Sequence, residues 1–129
     1  WEPWVIPYLK NSMLNMEKEF SSVIRIFGQK NFGMVKKGMV LAIEPFKRAQ
    51  YTHSVSQTSY EIDVLMKKHL KGYEYFYPIL DLACGGDASR CLLFDKMGNL
   101  ISTDGGHLTK EGAIEMSQRL NLLLKEISN

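Results

Sequence analysis

The spacing of apolar residues predicts a helix near each end of the chain. Apolar side chains recur at every third or fourth position in both regions, which places them on one face of an α-helix. Pro3 and Pro7 suit the entry to the first helix, where a missing N–H costs least. The apolar positions are Ile6, Leu9, Met13, Met16 and Phe20 in the first helix, and Ala113, Met116, Leu120, Leu123 and Ile127 in the last.

Shorter patterns indicate further elements between these two helices. Residues 23–27 form a run of mainly β-branched residues that ends at Gly28, which is typical of a buried strand. A third helix is predicted to begin near Thr58, where Thr58 and Glu61 have the spacing of a capping box, and to end at Gly72. This succession of helices and strands predicts an α/β layer architecture.

The remaining segments are predicted mainly as strands and loops. Residues 28–56 are interrupted by glycine and proline, and we expect a loop with one helical piece. The aromatic-rich stretch 73–82 is predicted to hold a strand of about five residues. Residues 92–94 and 100–102 flank a segment rich in turn formers, which predicts a β-hairpin.

Composition and charge narrow the class of protein. A chain of 129 residues with 45% hydrophobic and 23% charged residues is expected to fold as one domain. The net charge is only +2 and basic residues do not cluster, so we expect no nucleic-acid partner. No apolar run is long enough to cross a bilayer and no signal peptide is recognisable. Because the chain opens at Trp1, we expect it to be part of a longer protein.

The segment before the last helix could carry acid–base chemistry. Gly105 and Gly106 allow a tight turn that would bring the Asp104 carboxylate to Nδ1 of His107. That bond would fix the imidazole tautomer and leave Nε2 free as a general base. Thr109 would cap the following helix and anchor the loop. The alternative, from spacing alone, is a polar loop with an incidental histidine.

The other two histidines are interpreted as structural. His69 lies on the apolar face of the predicted third helix, where a partly buried and satisfied histidine is expected. His53 lies in a polar loop.

The two cysteines are expected to form a disulfide. Six residues, two of them glycines, separate Cys84 from Cys91, which is short and flexible enough for a bridge. Metal binding together with His107 is the alternative, but the spacing is wider than that of zinc knuckles. A disulfide implies an oxidising compartment, whereas free thiols would make a cytoplasmic location plausible.

Residues 84–113 resemble the C-terminal block of the SGNH (GDSL-like) hydrolase superfamily. The match is most specific at Asp104-Gly105-Gly106-His107-Leu108-Thr109, followed by Gly112-Ala113, where the family has Asp-x-x-His-Leu-[Ser/Thr]-x-x-Gly-Ala. That block supplies two members of a Ser-His-Asp triad. The most similar variant is the SGNH domain attached to membrane acyltransferases that O-acetylate surface polysaccharides.

The resemblance implies a fold and a function for the chain. The fold would be a three-layer α/β/α sandwich with a parallel sheet, flavodoxin-like, and residues 1–129 would be one partial domain without its first strands. Asp104 and His107 would be catalytic in an acyltransferase that uses an acyl donor and a carbohydrate acceptor, with neither metal nor organic cofactor. The protein would be periplasmic or extracellular and attached to an upstream membrane domain. A carbohydrate O-acetyl esterase and a non-catalytic glycan-binding or scaffold domain are the alternatives.

The chain departs from the family pattern at the nucleophile. It has no Gly-Asp-Ser, and the nearest string, Gly86-Asp87-Ala88-Ser89, lies between the cysteines. We therefore expect the nucleophile to lie outside the chain, which alone would be inactive. Asn31 is an alternative oxyanion-hole residue, although a turn-forming role is favoured. Three further serines are conceivable nucleophiles, although capping and loop solvation explain them better: Ser54, Ser56 and Ser59.

Two features of the chain bear on its partners. The aromatic cluster Tyr73, Tyr75, Phe76 and Tyr77 could stack on a sugar ring, but strand packing uses the same side chains. A domain lacking strands would expose a sheet edge and apolar surface, so we expect self-association.

Overall fold

The protein has a mixed α/β fold in which helices make up about half of the chain. The computed structural model describes residues 2–30, 32 and 37–127. Two compact units share the chain: Trp1–Gln29 with Gln57–Ile79 form the first unit, and Lys30–Ser56 with Leu80–Asn129 form the second. No helix in the described ranges is both long and apolar enough to cross a membrane.

Five α-helices and four short strands alternate along the described chain. The helices are α1 (Ile6–Phe20), α2 (Lys37–Ala42), α3 (Gln57–His69), α4 (Ile79–Cys84) and α5 (Lys110–Ile127). The strands are β1 (Ile26–Phe27), β2 (Thr52–His53), β3 (Phe76–Tyr77) and β4 (Cys91–Leu92), and a 3₁₀ helix covers Pro45–Gln50.

The first unit is built on a parallel pair of strands. Ile26 of β1 is in register with Phe76 of β3, and the backbone N–H of Ile26 donates to the carbonyl of Tyr75 at 2.9 Å. Helices α1 and α3 pack on each other and share one apolar core with β1. The buried members of that core are Ile6, Leu9, Ile26, Ile62, Met66, Leu70 and Tyr73.

Helix α1 confirms the first predicted helix, but its apolar face is only half used. Ile6 and Leu9 are buried, whereas Met16 is 42% and Phe20 62% exposed. The core reaches no further along α1 than Met13, so the last two apolar positions of the predicted face are exposed. Among the apolar positions predicted for the last helix, Met116 is buried and Ala113 is exposed, and the side chains of Leu123 and Ile127 lie outside the described part.

Three expectations about the first unit need correction. The capping box at Thr58 is wrong because α3 begins one residue earlier, and Glu61 instead accepts a hydrogen bond from the Gln57 side chain at 3.0 Å. The predicted buried strand at 23–27 is reduced to the two residues of β1, and Val23 is 52% exposed. The strand predicted within 73–82 is limited to β3, because the chain turns into α4 directly after Pro78.

The second unit contains an antiparallel pair, whereas the resemblance implied a sandwich with a parallel sheet. Thr52 and His53 of β2 pair with Leu92 and Cys91 of β4. His53 therefore lies in a strand and is half-buried, not in a polar loop. The loop expected over 28–56 holds α2, the 3₁₀ helix and β2 within its described residues.

The predicted hairpin after β4 is present as a chain reversal. Phe94 and Leu100 form an antiparallel bridge, and the N–H of Ile101 donates to the carbonyl of Leu93 at 3.0 Å. The turn is closed by Asp95, whose carboxylate accepts from the backbone and side chain of Asn99. The hairpin leads directly into the loop that holds the candidate site.

Candidate acid–base site

Asp104 and His107 are joined by a short side-chain hydrogen bond. The distance from His107 Nδ1 to Asp104 Oδ2 is 2.7 Å. The second carboxylate oxygen, Oδ1, accepts the backbone N–H groups of Gly106 at 2.9 Å and of His107 at 2.8 Å. Both oxygens are thus engaged within the loop, so the carboxylate and the imidazole are held in one arrangement.

The turn requires one of the two glycines in the left-handed region. Gly105 has a φ of +79°, which a side chain rarely adopts, and its carbonyl accepts the N–H of Phe32 at 2.8 Å. Gly106 has no positive φ. The expectation that the glycines permit the tight turn is therefore met mainly by Gly105.

Ser102 supports the loop from beneath, a role that sequence reasoning missed. Its side chain is buried, donates to the carbonyl of His107 at 2.7 Å and accepts the N–H of Gly105 at 2.9 Å. Ser102 is also bridged to Leu108 across the loop. The only sequence signal was a small hydroxyl residue two positions before Asp104.

Thr109 anchors the loop to α5 as predicted. Its hydroxyl accepts the N–H of Gly112 at 2.9 Å, which is the bond of a helix N-cap, and its N–H donates to the carbonyl of Ile101 at 2.9 Å. Gly112 lies directly against Ile101, because a β-carbon there would stand 2.0 Å from the Ile101 carbonyl oxygen. The site is therefore fixed between the hairpin and the first turn of α5.

The electrostatics of the loop keep Asp104 ionised. The hydrogen bond from the His107 side chain, followed by those from the two backbone N–H groups, holds the pKa of Asp104 well below its usual range. An ionised carboxylate only accepts hydrogen bonds, so the proton of the short bond belongs to Nδ1 of His107. Whenever the imidazole is neutral, Nε2 is then an acceptor.

The imidazole is open to its surroundings. The side chain of His107 is 83% exposed and that of Asp104 is 54% exposed. A held imidazole with an accessible acceptor nitrogen can remove a proton from a hydroxyl brought to it and return that proton later. The arrangement therefore has the geometry of a general base and its orienting carboxylate.

The candidate nucleophiles and the oxyanion residue lie elsewhere or outside the described residues. Ser59 is buried in α3 of the first unit, 3.5 Å from the side-chain nitrogen of Gln29, where a substrate would not reach it. Ser54 and Ser56 are exposed beside β2. Asn31 lies outside the described residues, as does Trp1.

Cys84 and Cys91 form the expected disulfide. The bridge closes a loop in which Gly85 and Gly86 have φ values of +60° and +83°. In the described residues no group of three or more His, Cys, Asp or Glu side chains could hold a metal ion. The nearest string to the family's nucleophile motif lies in this loop, and there the hydroxyl of Ser89 donates to Asp87 Oδ1 at 2.6 Å.

The aromatic residues and the remaining histidines lie outside this loop. Tyr73 and Tyr77 are buried, and Tyr75 and Phe76 pack against the core of the first unit, so these rings serve packing. His69 is half-buried at the end of α3. In the second unit, His53 Nδ1 lies 3.1 Å from the carbonyl oxygen of Ser54.

No family model, curated protein or solved structure matches this chain.

Proposed function

We propose that this chain provides the histidine and aspartate of a Ser-His-Asp acyl-transfer enzyme of the SGNH type. The observation that supports the proposal most strongly is the 2.7 Å bond between His107 Nδ1 and Asp104 Oδ2, with the imidazole otherwise exposed. The reaction we favour is O-acetylation of a cell-surface polysaccharide. The serine nucleophile would come from sequence outside these 129 residues, since the chain has no Gly-Asp-Ser.

The proposed chemistry follows from the protonation states at the site. Nε2 of His107 accepts the proton of the serine hydroxyl as the oxygen attacks the acyl carbonyl of the donor. Asp104 stays ionised and stabilises the imidazolium that forms. The imidazolium then gives its proton to the leaving group, and the acyl-enzyme is released by a sugar hydroxyl that His107 deprotonates in turn.

The residues around Asp104 and His107 favour a catalytic interpretation of this pair over an incidental surface pair. Ser102 holds the loop through two hydrogen bonds to backbone, and Thr109 holds it through hydrogen bonds to the backbone of the hairpin and of α5. A general base is effective only when its position is fixed relative to the group it deprotonates. An isolated surface ion pair would need no buried support of this kind.

The parallel strands of the first unit favour a larger sandwich. Helices α1 and α3 share a core with the pair β1–β3, yet Phe27 of β1 remains 48% exposed. We propose that further strands and helices complete a three-layer α/β/α sandwich around this pair.

The disulfide favours a periplasmic or extracellular location. The exposed side chains of Trp4 and Tyr8 favour self-association.

The test uses a polypeptide that contains both this chain and the proposed serine. His107→Ala should reduce acetyl transfer from an activated acetyl donor to a polysaccharide by several orders of magnitude, and Asp104→Asn should also cause a large loss. His69→Ala, in the first unit, is the matched control and should retain the wild-type rate. A wild-type rate in His107→Ala would refute the catalytic proposal and favour a glycan-binding or scaffold domain.

The acceptor distinguishes the two enzyme classes. A transferase should form acetylated sugar in preference to free acetate when both water and a sugar hydroxyl are present. If acetate is the main product at saturating sugar, the protein is a carbohydrate O-acetyl esterase instead. Either product would depend on His107.

A further inference from the structure

A concave site lies in the second unit, at the disulfide loop. A cavity of about 350 Å³ opens between the C-terminal end of α4, strands β2 and β4, and helix α5. Cavities of roughly 300–1,000 Å³ are typical of small-molecule sites. Cys84 and Leu92 give the wall an apolar part, and four polar side chains complete the lining used below: Thr52, Asp87, Arg90 and Arg119.

Arg119 offers a fixed guanidinium to this cavity. Its Nε donates to Glu115 at 2.8 Å and its Nη1 donates to the carbonyl of Leu82 at 3.1 Å. Among the described residues these bonds use two of the five N–H groups, so the others are left for a ligand. Because the carbonyl of Leu82 belongs to α4, Arg119 also ties two helices of the unit together.

Arg90 offers a second guanidinium with no hydrogen-bonded partner among the residues described. Its backbone N–H closes the turn onto Asp87 at 2.9 Å, which places its side chain at the rim of the cavity, where it is exposed. A guanidinium fork binds a carboxylate through two parallel hydrogen bonds. Two such groups on one cavity therefore favour a ligand with an anionic group.

The remaining polar groups favour a ligand that also carries hydroxyls. Asp87 Oδ1 already accepts the N–H and the hydroxyl of Ser89, and within the described part of the chain Oδ2 is left to accept from a ligand. The same two bonds hold the pKa of Asp87 below its usual value, so it remains an acceptor. A carboxylate beside the arginines would repel a multiply charged phosphate but would bind sugar hydroxyls, as would Thr52.

From these residues we propose that the cavity binds a hexuronate, which is a small sugar that bears a carboxylate. Arg90 and Arg119 bind the carboxylate, and Asp87 and Thr52 bind hydroxyl groups of the ring. Leu92 and the disulfide pack against the C–H face of the sugar.

This site is distinct from the acid–base loop. Arg119 lies nine residues beyond Lys110, the first residue of α5, which corresponds to about 14 Å along the helix axis. The binding of a hexuronate therefore requires neither His107 nor a nucleophile. Failure of this proposal leaves the proposed function intact, and the reverse also holds.

The experiment is a titration of the 129-residue chain with sodium D-glucuronate, D-glucose and inorganic phosphate, followed by two-dimensional NMR of backbone amides. Glucuronate should bind at least about tenfold more tightly than either glucose or phosphate. The shifted amides should include those of Gly85 and Gly86. Equal affinity for glucose or for phosphate, or no binding of glucuronate at millimolar concentrations, would overturn the proposal.

Variants locate the interaction. Arg90→Gln should weaken glucuronate binding by at least about tenfold, whereas Arg25→Gln, an exposed arginine of the first unit, should bind as the wild type does. Asp87→Asn keeps the acceptor for Ser89 but removes the charge, so phosphate should then bind more tightly than to the wild type. Arg119 is left unchanged because it also holds the carbonyl of Leu82. Wild-type affinity in Arg90→Gln, with an unchanged amide spectrum, would contradict the assignment.

Discussion

Gly112 and Ile101 approach so closely that only a glycine fits at the start of α5. A β-carbon on Gly112 would lie 2.0 Å from the carbonyl oxygen of Ile101, and that atom is backbone that also accepts the N–H of Thr109. Neither the hairpin nor the first turn of α5 can shift without moving the loop between them. The glycine thus determines the position of the loop that carries Asp104 and His107.

Replacement of Gly112 should therefore be costly. We expect Gly112→Ala to lower the free energy of unfolding by at least about 2 kcal/mol, because the added methyl group overlaps backbone. Gly106→Ala is the matched control, since a β-carbon there would meet only Asp104 Oδ1 at 3.8 Å. Its effect should stay within about 0.5 kcal/mol. Urea unfolding followed by circular dichroism measures both, and equal stability of the two variants would refute the steric argument.

The buried hydroxyl of Ser102 should also contribute measurably to the stability of the folded protein. Ser102→Ala removes the donor to the carbonyl of His107 and leaves the N–H of Gly105 without its acceptor, which should cost about 1–3 kcal/mol. Thr103→Ala, at the exposed neighbouring position, should be nearly neutral. Thermal unfolding of the two variants compares them, and a neutral Ser102→Ala would show that the loop does not depend on this support.

The carboxyl group of Asp104 should titrate at an unusually low pH. Its pKa in the folded protein is depressed, mainly by the His107 side chain, below the ordinary value of about 3.9. Its stabilising contribution is therefore fully present above that ordinary value and is lost as the pH falls through the lower folded pKa. Carbon-detected NMR should find a lower midpoint in the folded chain than in a peptide of residues 102–109. The same midpoint in both would contradict the observed hydrogen bonds.

Tyr73 provides a corresponding test at alkaline pH in the first unit. Burial, together with the bond to Glu17, raises the pKa of Tyr73 to about 12, and the hydroxyl proton is shared between Glu17 Oε1 at 2.8 Å and the carbonyl of Ile24 at 2.6 Å. The stabilisation contributed by the protonated Tyr73 hydroxyl is fully present below the ordinary tyrosine pKa of about 10, and it is lost as the pH rises through the pKa of Tyr73 in the folded protein.

Removal of the Tyr73 hydroxyl distinguishes its titration and its contribution to stability from those of the other tyrosines. Tyr73→Phe should lose about 1 kcal/mol of stability at neutral pH and should abolish the most alkaline step of the ultraviolet tyrosine titration. Tyr8→Phe, at a position 67% exposed, should do neither. Retention of that alkaline step in Tyr73→Phe would assign it to another tyrosine.

The sequence predicts best those features whose partners are close along the chain. The contacts of Asp104 with His107, the cap formed by Thr109 and the disulfide between Cys84 and Cys91 each join residues a few positions apart. Their geometry follows from the glycines and hydroxyls between them. Residue types and spacing were therefore sufficient.

Features that depend on distant partners could not be predicted in this way. His53 lies in a strand because Cys91 of β4 pairs with it, and nothing near His53 in the sequence indicates that pairing. Phe20 matches the helical period of α1, yet the core does not extend to it. The buried role of Ser102 likewise became evident only from the fold around it.

The most direct measurement of the central claim is the labelling rate with a serine-reactive fluorophosphonate, in a polypeptide that contains this chain and the proposed nucleophile. The account predicts that one serine outside these 129 residues is modified rapidly in the wild type, and that His107→Ala lowers the rate by several orders of magnitude while His69→Ala leaves it unchanged. Mass spectrometry identifies the modified residue. A rate that does not depend on His107, or a wild type that is not labelled, would contradict the account.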